Sequence, residues 1–86
     1  MRKIHKHSFE MNGGTHLVTL PDGFEIKHVA CQNGMTTMWY EFDTATTTYV
    51  PTSFAIFPTG GEIPDGWLYV GTAVCPVFVW HLYVAD

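Results

Sequence analysis

Charge is what this sequence has least of. Of its 86 residues only 14% are charged, against roughly 25% in ordinary soluble domains. Cations are fewest: Arg2, Lys3, Lys6 and Lys27 are all there are, and no Lys or Arg follows His28. Eight carboxylates outnumber them, for a formal net charge of −4. A chain so poor in cations is not expected to bind a nucleic-acid polymer non-specifically, nor to be drawn to an anionic membrane. The negative balance is in turn too small for a mimic of nucleic acid. An anion site, if there is one, must draw on Lys27 and the N-terminal segment, from this chain or from a second copy.

Long apolar runs are missing as well. No stretch approaches the roughly 18 residues of a membrane span. Met1-Arg2-Lys3 is followed by polar residues rather than the apolar centre of a cleavable leader. Cysteine is limited to Cys31 and Cys75. Two cysteines without a secretory signal are expected as reduced, packed thiols in a cytoplasmic protein. Helical periodicity is absent too. No window carries a 3.6-residue apolar stripe between caps, and Met35–Val50, the longest stretch free of Gly and Pro, is rich in Thr, aromatics and Val that favour extended chain.

Catalytic patterns are equally scarce. Ser8 and Ser53 lack a nucleophile elbow, and Cys31 and Cys75 sit in apolar, strand-like surroundings without an oriented base. Glu41 and Asp43 share a strand face with Trp39 and read as the polar end of a strand rather than an acid/base pair. His5 and His7 lie two apart on one face, but no Cys or carboxylate stands at a companion spacing, so a metal site is not expected. The expectation is a protein that is not an enzyme and holds no cofactor.

Aromatic side chains, by contrast, are plentiful. Three Trp, four Tyr and six Phe stand in a chain that is 47% hydrophobic. The length allows one domain, residues 1–86, and so short a chain buries only about 60–65% of its unfolded surface. One thin core cannot hide so many rings, which points to a homo-oligomer or a ligand surface.

Gly, Pro and Asn divide the chain into β-prone pieces. Arg2–Met11 places His5, His7, Phe9 and Met11 on one face, before Asn12-Gly13-Gly14. His16–Leu20 ends at the turn Pro21-Asp22-Gly23. Phe24–Gln32, with Ile26, His28 and Ala30 on one face and Lys27, Val29 and Cys31 on the other, runs to Asn33-Gly34. That dipeptide predicts a type I′ hairpin into Met35–Asp43. Tyr49–Phe57 follows, with Pro51 marking an edge or a bulge. Trp67–Val74 and Val77–Val84 close the series, the last apolar on both faces. The expected fold is all-β: six or seven short antiparallel strands in a small sandwich or partly open barrel.

Between Tyr49–Phe57 and Trp67–Val74 lies the loop Pro58–Gly66. Its Thr59-Gly60-Gly61 reads either as a wide turn or as a backbone nest for an anion. Trp67, directly after it, is the best placed of the three tryptophans to stack on a ligand, whereas Trp80 reads as core. Together with Arg2, Lys3 and Lys6 these residues form the candidate ligand site.

Several segments also resemble a family of small uncharacterised tailed-phage proteins. They are Lys3-Ile4-His5-Lys6-His7, Leu20-Pro21-Asp22-Gly23, Cys31-Gln32-Asn33-Gly34, Met38-Trp39-Tyr40, Phe54–Gly60, Ile63-Pro64, Tyr69-Val70-Gly71-Thr72 and Phe78–Leu82. The chain departs from the pattern in reading Gly61-Glu62 where family members often have Gly-His-Pro-Ile-Pro, so a site using that histidine does not carry over. The resemblance implies an accessory phage protein that counters host defence. Such a protein would sequester a small anionic nucleotide signal, or alternatively inhibit a host protein through an aromatic patch or a free edge strand. A small structural role in the virion is the third reading.

Overall fold

The computed structural model describes residues 1–12 and 14–86; Gly13, inside the Asn12–Gly14 break, lies outside the described residues. Seven strands and no helix occur among the described residues: β1 (Arg2–Phe9), β2 (His16–Pro21), β3 (Glu25–Gln32), β4 (Met35–Asp43), β5 (Tyr49–Pro58), β6 (Trp67–Val74) and β7 (Val79–Ala85). Nothing among them is a helix long and apolar enough to cross a membrane. One sheet has the order β1-β4-β3 and the other β2-β5-β7-β6, and every neighbouring pair is antiparallel. The sheets are stacked with β3 against β6 and are not closed into a barrel, which makes the fold a small sandwich.

Turn chemistry sets the local connections. Asn33 (φ 52°) and Gly34 (φ 77°) both take positive φ, as a type I′ turn requires, and place Gln32 opposite Met35. At Pro21-Asp22-Gly23 the Phe24 N–H donates to the Pro21 carbonyl at 3.2 Å, with Gly23 at φ 80°. Period-2 alternation then sorts the side chains. Phe9 of β1, Val18 and Leu20 of β2, Met38 of β4, Phe54 and Ile56 of β5 and Leu82 of β7 meet as the buried cluster between the sheets.

The facing of β3 differs from expectation. Register shifts between Ile26 and His28, so Lys27 is an extra residue bulged out of the ladder. The bulge puts Ile26 on the same inner side as Val29, both packed against the core cluster, rather than beside His28. A second bulge lies between Tyr69 and Gly71 of β6. Gly71 there faces β3 so closely that a Cβ would stand 2.6 Å from Val29 Cγ2.

The cysteines also differ. Cys31 and Cys75 are not free thiols but a disulfide, with Cα atoms 5.3 Å apart. The cause is the stacking of β3 on β6, which brings the end of β3 against the residue that follows β6. The bond therefore ties one sheet to the other across 44 residues of sequence.

Pro51 sits at an edge, as its type suggests. The Asp22 N–H donates to the Thr48 carbonyl at 2.9 Å, in register with the β2–β5 pairs, so even-numbered residues of β5 turn their polar groups toward β2. Odd-numbered Pro51 faces the other way, where pairing with β7 does not begin until Phe54. Its missing N–H thus falls where no strand asks for one.

Candidate functional site

β5 is longer than the strands beside it. β2 accompanies it from Tyr49 to Phe54, and β7 from Phe54 to Pro58. Past Phe54 the preceding chain turns away from β5 at Gly14 (φ 109°) and Thr15. The separation opens a cavity of about 490 Å³ bounded by Ala55–Pro58, by Gly14 and Thr15, and by Pro64, Trp67 and Trp80. Consecutive residues of a strand face opposite ways, so a cavity touching four in a row follows the strand's edge rather than one face. Its volume lies in the range of small-ligand sites. Among the described residues no charged side chain lines it.

An aromatic row forms one approach to it. Trp67 meets Phe57 edge-on at 6.2 Å, Phe57 meets Tyr83 at 5.4 Å, and Tyr83 meets Tyr69 at 5.5 Å. Edge-to-face packing of this kind holds rings in place while leaving faces open. Trp80 packs against the core cluster, as its sequence context suggests, and also forms part of the cavity wall. Its indole N–H is buried without an acceptor among the described residues.

A polar row runs beside the rings. His81 Nε2 lies 2.8 Å from the Thr59 hydroxyl and its Nδ1 lies 3.0 Å from the Thr72 hydroxyl, which in turn bonds to Tyr69. Both ring nitrogens of His81 are thus engaged by threonine hydroxyls. This pins Thr59. The following residues close a turn in which the Gly61 N–H donates to the Pro58 carbonyl at 3.0 Å and Gly60 takes φ 87°. Thr59-Gly60-Gly61 thus forms a closed turn, a backbone geometry common to a plain turn and to an anion nest built on that turn.

The candidate site residues are therefore divided. Trp67 lines the cavity, and Thr59, Gly60 and Gly61 form the turn at the end of β5. Arg2, Lys3 and Lys6 belong to β1, in the other sheet, and none of them reaches the cavity. Arg2 pairs with Glu41 at 3.1 Å, and Lys6 donates to the Gln32 side chain. Stacking and positive charge are thus in different places within one chain. The features that sequence reasoning missed are the open edge of β5 and the part played by Gly14 and Thr15. The proximity of Gly14 to strand residues left no local mark.

Groups with shifted protonation also lie away from the cavity. Burial lowers the pKa of His7, and the nearby His16 lowers it further. Hydrogen bonding to Lys27 lowers that of Glu25, and the Ala45 N–H lowers that of Asp43. No group of three or more His, Cys, Asp or Glu side chains placed to hold a metal ion occurs among the described residues.

These features define a two-sheet all-β sandwich with an apolar cavity at a broken sheet edge. The chain belongs to the family described as a domain of unknown function (DUF7352), whose model matches residues 1–86. No curated protein and no solved structure matches it.

Proposed function

We propose that this protein is a non-enzymatic binding module that takes an apolar or aromatic group of a protein partner into the cavity beside β5. In the tailed-phage setting that the sequence resemblance implies, the partner is a host protein and binding inhibits it. The observation that carries this reading is the uncharged lining of the cavity, with Trp67 and Trp80 in its wall. An anionic nucleotide is favoured by cations beside its stacking ring, and Arg2, Lys3 and Lys6 stand in the other sheet. The exposed apolar side chains Leu17, Leu68, Tyr69, Val74, Val77 and Phe78 support association of copies, which would add further contact surface.

Titration followed by NMR tests the reading. N-acetyl-phenylalaninamide is expected to shift the indole N–H resonances of Trp67 and Trp80, and Ala55→Phe, which adds bulk at the cavity wall, is expected to weaken the shifts. Cyclic dinucleotides are expected to leave them unmoved. Shifts with the nucleotides alone would transfer the assignment to nucleotide sequestration, with the cations supplied by a second copy.

A further inference from the structure

Open sheet edges invite pairing with other chains, and folded proteins block them with bulges, charges, prolines or short strands. Four edges here carry such devices. β1 bears Arg2, Lys3 and Lys6; β2 is six residues long and ends at Pro21; β3 is bulged at Lys27; β6 is bulged between Tyr69 and Gly71. The stretch Ala55–Ile56–Phe57, past the end of β2, has neither bulge nor charge.

Two hydrogen bonds fix which of its backbone groups are free. The Asp22 N–H donates to Thr48 on the β2 side, and the Thr59 N–H donates to Val79 at 3.3 Å on the β7 side. Both continue the ladder registers, so odd-numbered residues of β5 turn toward β7 and even-numbered ones toward β2. Ile56 therefore directs its N–H and C=O to the side that β2 has left, where no strand stands opposite it among the described residues. That side is the cavity. At the rim Pro64 lies between exposed Glu62 and Asp65, and no Lys or Arg follows His28 in the chain.

We propose that an extended segment of the partner protein adds as a strand to β5 at Ile56. Its apolar side chains enter the cavity, and a flanking Lys or Arg meets Glu62 and Asp65. In strand addition, main-chain bonds give affinity and pockets for alternate side chains give specificity. This rests on the reading of the cavity as a binding surface, and it adds the backbone pairing and the basic flank.

The test uses the whole chain and the peptide acetyl-Lys-Val-Phe-Val-Lys-amide. In the free protein the Ile56 amide is expected to exchange its hydrogen quickly, and those of Ala55 and Phe57 slowly. On addition of the peptide the Ile56 amide becomes protected. N-methylation of one alternate set of peptide amides is expected to weaken binding by about tenfold or more, because the bonds to Ile56 cannot form. N-methylation of the other set leaves binding within about twofold. Exchanging both Lys for Glu weakens it, as does Glu62→Lys with Asp65→Lys in reverse. Equal affinity of both methylated peptides would overturn strand addition while leaving the cavity reading intact. So would binding of N-acetyl-phenylalaninamide without binding of the peptide. An Ile56 amide already protected in the free protein, and released on dilution, would also overturn it by giving the edge to a second copy. Failure of both probes removes both readings.

Discussion

Replacing Gly71 by Ala tests how closely the two sheets are held together. A Cβ at this position would lie 2.6 Å from Val29 Cγ2 and 2.7 Å from Val29 Cβ, where carbon atoms settle at about 3.5–4.0 Å. The backbone at Gly71 is not in the left-handed region, so the cost is steric alone. β3 and β6 cannot part freely to relieve it, since Cys31 and Cys75 join them nearby. Overpacking of this kind costs roughly 1–3 kcal/mol. At the middle of that range the melting temperature falls by about 8–16 °C for a domain of this size. The background variant decides the cause. Val29→Ala removes the Cγ2 contact but keeps the Cβ, so it relieves only part of the clash. Val29→Gly removes both, and in that background Gly71→Ala is expected to be neutral, or to stabilise by a few tenths of a kcal/mol through loss of unfolded-state freedom. Urea unfolding of wild type, both single variants and the double variant gives the coupling directly. A neutral Gly71→Ala in the wild type, or an equal cost in both backgrounds, would refute the close approach.

Two further predictions concern what holds the sandwich shut. The disulfide closes a loop of 44 residues, and chain entropy assigns such a cross-link roughly 4 kcal/mol. That is a large share of the roughly 4–13 kcal/mol expected for a chain of this length. Reduction by dithiothreitol is expected to lower the melting temperature by roughly 15 °C or more. Cys31→Ser with Cys75→Ser should match the reduced protein and ignore the reductant; a loss below about 1 kcal/mol would mean the bond does not form or does not constrain the unfolded chain. His7 gives a pH dependence. Its folded pKa lies below the ordinary value of 6.5 because it is partly buried and close to His16. The unfolded chain therefore binds a proton first as pH falls. Stability is fully present above about 6.5, declines as pH drops toward the folded value, and levels below it. Urea midpoints at pH 7.5 and 5.5 are expected to differ less in His7→Gln than in the wild type. An unchanged difference would place the titration elsewhere.

What was legible in the sequence was what short-range chemistry decides. Asn33-Gly34 and Pro21-Asp22-Gly23 specify their turns within a few residues, and the alternation along β1 puts half-buried His7 on the face whose Phe9 enters the core. The bulge at Lys27 left no such trace. A single unpaired residue exchanges the faces of everything before it, and nothing around Lys27 in composition distinguishes a bulged strand from a regular one. The disulfide was invisible for a different reason. Cα separation between residues 31 and 75 depends on how two sheets stack, which neither cysteine's neighbours encode.

The cavity beside β5, the proposed binding surface, belongs to this second kind. Trp67 could be picked out because it follows a glycine-rich turn, but the cavity it lines exists because β2 pairs with β5 only as far as His16 opposite Phe54. A register two pairs longer would set Gly14 against Ile56 and close the edge. The free N–H and C=O of Ile56 are thus a consequence of where one strand stops along another, and the same apolar run Phe54-Ala55-Ile56-Phe57 would read identically in either case. Equally, the cations of β1 could be grouped with Trp67 on paper because an anion site needs charge and the N-terminal segment carries three of the four cations. Pairing of β1 with β4, from Arg2 opposite Asp43 to Phe9 opposite Thr36, assigns them to the other sheet. Long-range pairing therefore decides both what the surface contains and what it lacks, and the surface that results offers backbone and rings without positive charge.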